Sequence, residues 1–231
     1  LRRLVGSEMC IRDRLKILKN IRNSFFLFAI LLSGFSDLEA KNSKDVSNTE
    51  VKRKTISHKK KYSLTLANSK DGHPVRSGKK SYRFEVRLGD CGKDSGHDDC
   101  KKDRQRTELQ FKKHQMGKKD HWYSASIYLP EDYQSVAPVR TTFAQLYEKG
   151  WKPILMITDR SGEWLEVGRM WSGEYVEMKK AIRINDMRGK WTDVLINARY
   201  SREENGFMKV WINNKLILNA DNIKNIKPYT K

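Results

Sequence analysis

From Tyr62 onward, apolar and polar residues alternate in short runs separated by turn formers, the pattern of β-strands. Tyr82 to Leu88 shows it most cleanly. Tyr82, Phe84, Val86 and Leu88 fall on one side, and Arg83, Glu85 and Arg87 on the other. Thr107 to Phe111 alternates too, and Trp122 to Leu129 reads as a strand stopped by Pro130. Further strands are predicted over 142–147, 154–158, 164–167, 194–200, 207–212 and 215–218. Asn213-Asn214 joins the last two, and Asn tolerates positive φ, so this pair predicts a hairpin turn. Many strands and few helices predict an all-β protein, a β-sandwich of jelly-roll type. A small β-barrel is one other arrangement the pattern allows. An α+β domain with a helix near 174–182 is another.

The first 61 residues read differently. Residues 1–14 show no helix or strand logic, and the string GSEMCIRDR resembles translated sequencing-adapter read-through. They are taken as a non-native leader and set aside. Over 15–40, Lys16, Lys19 and Arg22 precede an apolar run, 24–35, that is too short to span a bilayer comfortably. Ala40 supplies a small residue for cleavage, so this segment reads as a secretory signal peptide. Residues 41–61 read as a flexible basic linker, and 62–231 as the jelly-roll domain. The chain stops just after a hairpin whose edge a sandwich normally covers, so the domain is expected to be truncated at its C-terminus.

Charge narrows the partners. The chain carries a formal net charge of +19, and residues 1–40 account for +3 of it (seven Lys/Arg less four Asp/Glu), leaving +16. Such a surface favours polyanions. A signal peptide implies a secreted or periplasmic protein, without stable membrane insertion after cleavage. Cys10 lies in the leader, which leaves Cys91 and Cys100 in one polar loop. In an exported protein this pair reads as a disulfide. A zinc site with His97 as third ligand is the competing reading, and its spacing fits no standard pattern. Asp90, Asp94, Asp98 and Asp99 crowd the same loop and could hold calcium, although a plain hydrophilic disulfide loop explains them as well. No cofactor is otherwise expected. Export and the disulfide argue against nucleic acid as the partner.

Three constellations could carry chemistry. On a strand over 107–111, Arg106, Glu108 and Gln110 share a polar face backed by Thr107, Leu109 and Phe111. Arg grips a planar carboxylate with two hydrogen bonds, and Glu108 could brace it. A solvated Arg–Glu pair would look the same. In 143–147, Gln145 and Tyr147 share a face, with Ala144 and Leu146 behind. A Gln amide can donate to a carboxylate, and a phenol can move a proton. An ordinary strand with a half-buried Tyr fits equally. Third, His73-Pro74-Val75-Arg76 precedes the Tyr82 strand and by itself reads as a loop.

Taken in order, these segments carry a resemblance. His73-Pro74-Val75-Arg76, Arg83-Phe84-Glu85-Val86-Arg87, Gly89-Asp90-Cys91 to Asp99-Cys100, and Arg106-Thr107-Glu108-Leu109 come first. Tyr128-Leu129-Pro130, Gln145-Leu146-Tyr147, Trp191-Thr192-Asp193-Val194 and Gly206 to Asn213 follow. Over residues 66–229 the chain resembles the heparin lyase I-like polysaccharide lyases, which share a concanavalin-like jelly-roll design with alginate and glucuronan lyases. The resemblance implies β-elimination next to a uronic acid. The C5 proton is not acidic while the uronate carboxylate stays negative, so cations and donors must neutralise that charge. A base then removes the proton, and an acid protonates the departing glycosidic oxygen.

By resemblance, Arg106 and Gln145 match the neutralising positions, and Glu108 matches the residue that braces the Arg. His73, Arg76, Arg83 and Trp122 are expected to help bind the acidic polysaccharide, with the protein acting as a monomer. Tyr147 departs from the family's Gln-x-His pattern. It either takes over as base, with nearby cations lowering its pKa, or only binds sugar, or marks a weakened enzyme. His73 is the substitute base. The family also places a Tyr on a later strand, beyond Lys231, as general acid. Two rivals remain. A non-catalytic carbohydrate-binding sandwich would use the same basic face and exposed aromatics. A jelly-roll glycoside hydrolase would need two carboxylates across one bond, and no Glu-x-Asp-x-x-Glu arrangement occurs here.

Overall fold

A computed structural model describes residues 8–11, 51–56, 60–94, 97–111, 119–148 and 152–227. The strands are, in chain order, β1 (Glu8–Ile11), β2 (Val51–Ile56), β3 (Leu64–Asn68), β4 (Lys80–Phe84), β5 (Lys93–Asp94) and β6 (His97–Asp98). Then come β7 (Thr107–Phe111), β8 (Asp120–Leu129), β9 (Thr141–Glu148), β10 (Lys152–Asp159), β11 (Trp164–Trp171) and β12 (Glu174–Arg183). A single helical turn, α1 (Ile184–Met187), leads into β13 (Lys190–Arg199), β14 (Gly206–Ile212) and β15 (Lys215–Ile223). The all-β expectation holds.

Seven strands form one antiparallel sheet in the order β15-β14-β13-β8-β1-β4-β3, and four form another in the order β12-β11-β10-β9. β2 pairs with β7, and β5 with β6. The two large sheets enclose one core. Ile127 and Leu129 of β8, Val194, Ile196 and Ala198 of β13, and Met208, Val210 and Ile212 of β14 enter it from the large sheet. Phe143, Leu155, Ile157, Leu165 and Val167 meet them from the smaller one. Along each strand the intervening residues face out, as the pleat requires. A second cluster sets Tyr82, Leu64 and Phe84 against Leu109 of β7, so β7 lies in the layer of the small sheet.

Asn213 and Asn214 both adopt positive φ, 47° and 65°, and make the predicted hairpin between β14 and β15. The strand expected over 82–88 ends earlier, at Phe84. The backbone N–H of Arg87 donates to Asp90 at 2.6 Å, which turns the chain, and Leu88 is left 79% exposed.

Three segments depart from expectation. The stretch where a helix was conceivable, 174–182, is β12, bonded to β11 from Trp171↔Glu174 to Trp164↔Arg183. Main-chain pairing with that neighbour overrides its Glu- and Lys-rich composition. In the presumed linker, Val51–Ile56 pairs with β7, and in the presumed leader, Glu8–Ile11 lies between β8 and β4. A ladder bonds main chain to main chain, so a Lys- and Arg-bearing segment such as Val51–Ile56 can complete a sheet without an apolar signature. The expected signal segment, 15–40, lies outside the described residues.

Candidate active site

On β9, Phe143, Ala144 and Leu146 pack into the core. A bulge at Phe143 lets two consecutive residues face inward, because Ala144 pairs with Ile157 while Thr142 pairs with Thr158. Gln145 and Tyr147 therefore project from the outer face of the small sheet. On β7, Leu109 packs inward, so Arg106 and Glu108 project outward. The two strands bring their polar residues together: Tyr147 lies within electrostatic reach of Glu108, Arg104, Arg106 and Arg140. Arg106, Glu108, Gln145 and Tyr147 thus share one surface. The side chain of Gln110 lies outside the described residues.

Arg106 is held differently from expectation. Its Nε and Nη2 donate to the two carboxylate oxygens of Asp99 at 2.9 and 2.6 Å, whereas Nη1 lies 3.5 Å from Glu108. Asp99 is 2% exposed, so it, rather than Glu108, is the main brace. The Asp99 bonds hold the guanidinium protonated even more firmly than usual. The fork that was expected to clasp substrate therefore grips Asp99, and Nη1 is the edge turned toward Glu108.

The disulfide forms as expected, between Cys91 and Cys100, with an S–S distance of 1.99 Å. It removes the two thiolates a zinc ion would need. It also anchors Asp99, whose N–H donates to Gly92 O at 2.9 Å and whose carbonyl accepts from Arg104 N–H at 2.9 Å. The bridge and the Arg106 clasp are one unit. Replacing both cysteines with serine is expected to cost about 2–3 kcal/mol in denaturant unfolding, from a closed loop of this length. Activity is expected to fall with it, as Asp99 loosens. Unchanged activity would separate the loop from the site.

Two of the other loop acids are engaged. Asp90 accepts from Tyr62 Oη at 2.7 Å and Asp98 from Lys101 N–H at 3.1 Å. Among the described residues no three potential ligands converge on a metal position.

Tyr147 is 42% exposed, and its pKa is raised above the ordinary value of 10. Partial burial and the Glu108 carboxylate push it up, outweighing Arg104, Arg106 and Arg140, which pull it down. The expectation that cations would lower it is thus reversed. At neutral pH the phenol keeps its proton.

Four predicted binding residues lie elsewhere. Trp122 is 52% exposed on the outer face of the large sheet, stacked with Trp211 at 5.9 Å. It alternates with Tyr123, which packs on the core, and so points away from the small sheet. Arg76 binds Asp193 through Nε at 3.1 Å and Nη2 at 2.8 Å, and Asp193 also accepts from Ser126 on the same outer face. His73 is exposed in the loop fastened there by the Ser81 Oγ bond to Pro74 O, 2.9 Å. Arg83 faces away from β7 and pairs with Glu85 at 2.5 Å. Glu85 is buried, which by itself would raise its pKa, but bonds from Arg87 and Arg83 hold it below the ordinary value. A substitute-base role for His73 beside Gln145 finds no support in this placement.

A model of the polysaccharide lyase family matches residues 43–231. The chain belongs to that family. It is therefore a polysaccharide lyase, and a carbohydrate-binding module without activity is set aside. One solved structure, the endo-β-1,4-glucuronan lyase from the fungus Trichoderma reesei, superposes with a TM-score of 0.52 at 13% identity. The match covers 76% of this chain and 77% of that one, and it establishes the shared jelly-roll fold. No curated protein sequence matches the chain. Among the described residues no helix is long and apolar enough to cross a membrane.

The lyase site contains more than sequence reasoning found. Asp99 was read only as part of a hydrophilic loop, and its place beside Cys100 was the one hint that it is anchored. Arg104 and Arg140 were not singled out, because neither falls in an alternating run. Arg104 is exposed and forms no ion pair among the described residues.

Proposed function

We propose that this lyase cleaves a uronic-acid-containing polysaccharide by β-elimination on the outer face of the small sheet. The observation that carries the reading is the convergence of Tyr147 with the guanidinium groups of Arg104, Arg106 and Arg140, on the face that Gln145 shares. Arg104 and Arg140 form no ion pair among the described residues, and such cations on a lyase face match a substrate that carries carboxylates. Gln145 and the guanidinium groups of Arg104 and Arg140, with Arg106 beside them, neutralise the uronate and stabilise the enolate-like transition state. Tyr147, as phenolate, takes the C5 proton. The disulfide and the net charge of +19 fit action on a polyanion outside the cytoplasm.

The raised phenol pKa fixes the pH dependence. Below that pKa the phenolate fraction grows tenfold per pH unit, and at pH 7 it is under roughly a thousandth. Log kcat/KM is expected to rise with a slope near one between about pH 7 and 9. A plateau beginning below about pH 8 would assign the base to another group.

The test of the reading is ultraviolet absorbance from the unsaturated uronate that elimination creates. Glucuronan, alginate and heparin-like chains are offered beside neutral glucans. Absorbance is expected to rise on a polyuronate alone. Cleavage confined to neutral glucans would refute the acidic-substrate reading.

A further inference from the structure

We infer that Arg160, seated on the ring of Tyr175, binds a second uronate of the polymer, farther along the glycan than the one that reacts. The inference rests on the β-elimination reading and extends its site across the small sheet toward β12.

Tyr175 stands on the edge strand β12, yet its ring turns back over the sheet. It lies against β11 at Gly168, where an added Cβ would collide with Tyr175 Cε1. Only glycine leaves room for the ring. Val167 beside it enters the core, so the ring covers the outer face, the one that carries Gln145. The hydroxyl reaches β10, where it donates to Met156 Sδ at 3.7 Å. Gln145, Met156, Gly168 and Met178 are successive cross-strand partners, one row running from β9 to β12.

Two arginines are seated on this ring, both by neutral groups. Arg140 Nη1 donates to the phenol oxygen at 3.2 Å and lies within electrostatic reach of Tyr147. Arg160, in the turn after β10, stands over the ring with its guanidinium carbon 5.1 Å from the centre. Its Nη1 donates to Met178 Sδ at 3.7 Å. Aromatic and thioether contacts orient a guanidinium without cancelling its charge. Arg160 is exposed and forms no ion pair among the described residues. The neighbouring acids are engaged elsewhere. Asp159 is buried and accepts from Tyr133 Oη and Gly162 N–H. Glu163 pairs with Arg183 at 2.8 Å, and Glu166 is buried opposite Lys180. A planar cation held in this way suits a carboxylate from outside the protein.

The row sets the spacing. Gly168 and Met178 lie two and three strands from Gln145, which places Arg160 about 10–15 Å from the reacting uronate. One pyranose repeat covers about one strand spacing, so a polyuronate crossing the strands brings one carboxylate to Gln145 and another, about two to three sugars on, to Arg160. Holding the glycan at two carboxylates fixes its register over Tyr147. Binding energy from the remote sugar then serves the one that reacts. A neutral glycan gains nothing at this station.

Arg160→Gln removes the charge from an exposed side chain and is expected to leave the fold intact. On oligouronates of increasing length, kcat/KM of the parent is expected to climb until the glycan reaches Arg160, then to level. In the variant that climb is expected to shrink about tenfold, mostly through KM, the size of one lost charge-assisted contact. The shortest oligouronate cleaved, which cannot reach Arg160, is expected to react alike in both proteins. Arg160→Lys keeps the charge without the planar fork and is expected to recover part of the climb. A parent without a climb, unchanged kcat/KM of Arg160→Gln on long substrates, or an equal loss at every length would overturn the assignment while leaving the lyase reading intact. A parent protein inactive on every polyuronate would overturn both.

Discussion

Gln145→Ala is expected to lower kcat by about 10²–10³-fold while leaving unfolding stability unchanged. The two effects separate because of where the amide stands. Gln145 projects from β9 between core residues Ala144 and Leu146, and its side chain makes no hydrogen bond among the described residues. Its removal leaves no buried partner unsatisfied and no cavity in the core. In the proposed reaction its donor meets the charge that grows on the uronate as C5 loses its proton. Loss of one such preorganised donor typically costs about two to three orders of magnitude in turnover. Steady-state kinetics with a denaturant melt of the same preparation checks both halves. A destabilised variant, or unimpaired turnover, would remove Gln145 from the machinery.

Arg106→Ala is expected to do the opposite in one respect: it should damage both activity and stability. Asp99 is almost fully buried and receives two bonds from this guanidinium. Breaking a buried pair by deleting one partner costs about 3–5 kcal/mol, because the remaining charge loses its compensation. The double variant Asp99→Ala, Arg106→Ala should recover part of that stability, since no carboxylate is then left behind. It should recover no activity. Equilibrium unfolding of the parent, both single variants and the double variant reads the coupling directly. A single variant as stable as the parent would show the clasp to be ornamental. Recovery of activity in the double variant would show that Arg106 acts only by offsetting Asp99.

Much of this architecture was legible in the alternation of side chains. Trp122 to Leu129, Thr107 to Phe111 and Phe207 to Ile212 became strands because one face of each is apolar enough to fix its register. The Asn-Asn hairpin and the disulfide followed from local chemistry. β12 and β2 were not legible, since their place depends on a neighbouring backbone rather than on an apolar face. The site was legible in part. Arg106, Glu108, Gln145 and Tyr147 declared their shared surfaces through two-residue spacing. Which surface lies opposite which is a tertiary fact, and it sends Trp122 and Arg76 to the other side of the sandwich. The Asp99 clasp and the passage of Tyr175 over Gly168 join residues seven positions apart in both cases, and neither pairing follows a strand period.

The central claim is that bond cleavage proceeds by elimination at a uronate, without water entering the product. Digesting a polyuronate in water enriched in heavy oxygen, then weighing the oligosaccharides by mass spectrometry, tests this most directly. Elimination predicts fragments with an unsaturated non-reducing end and no heavy oxygen introduced at the cleaved bond. Fragments heavier by one labelled water at each cut would mean hydrolysis, and would contradict the account.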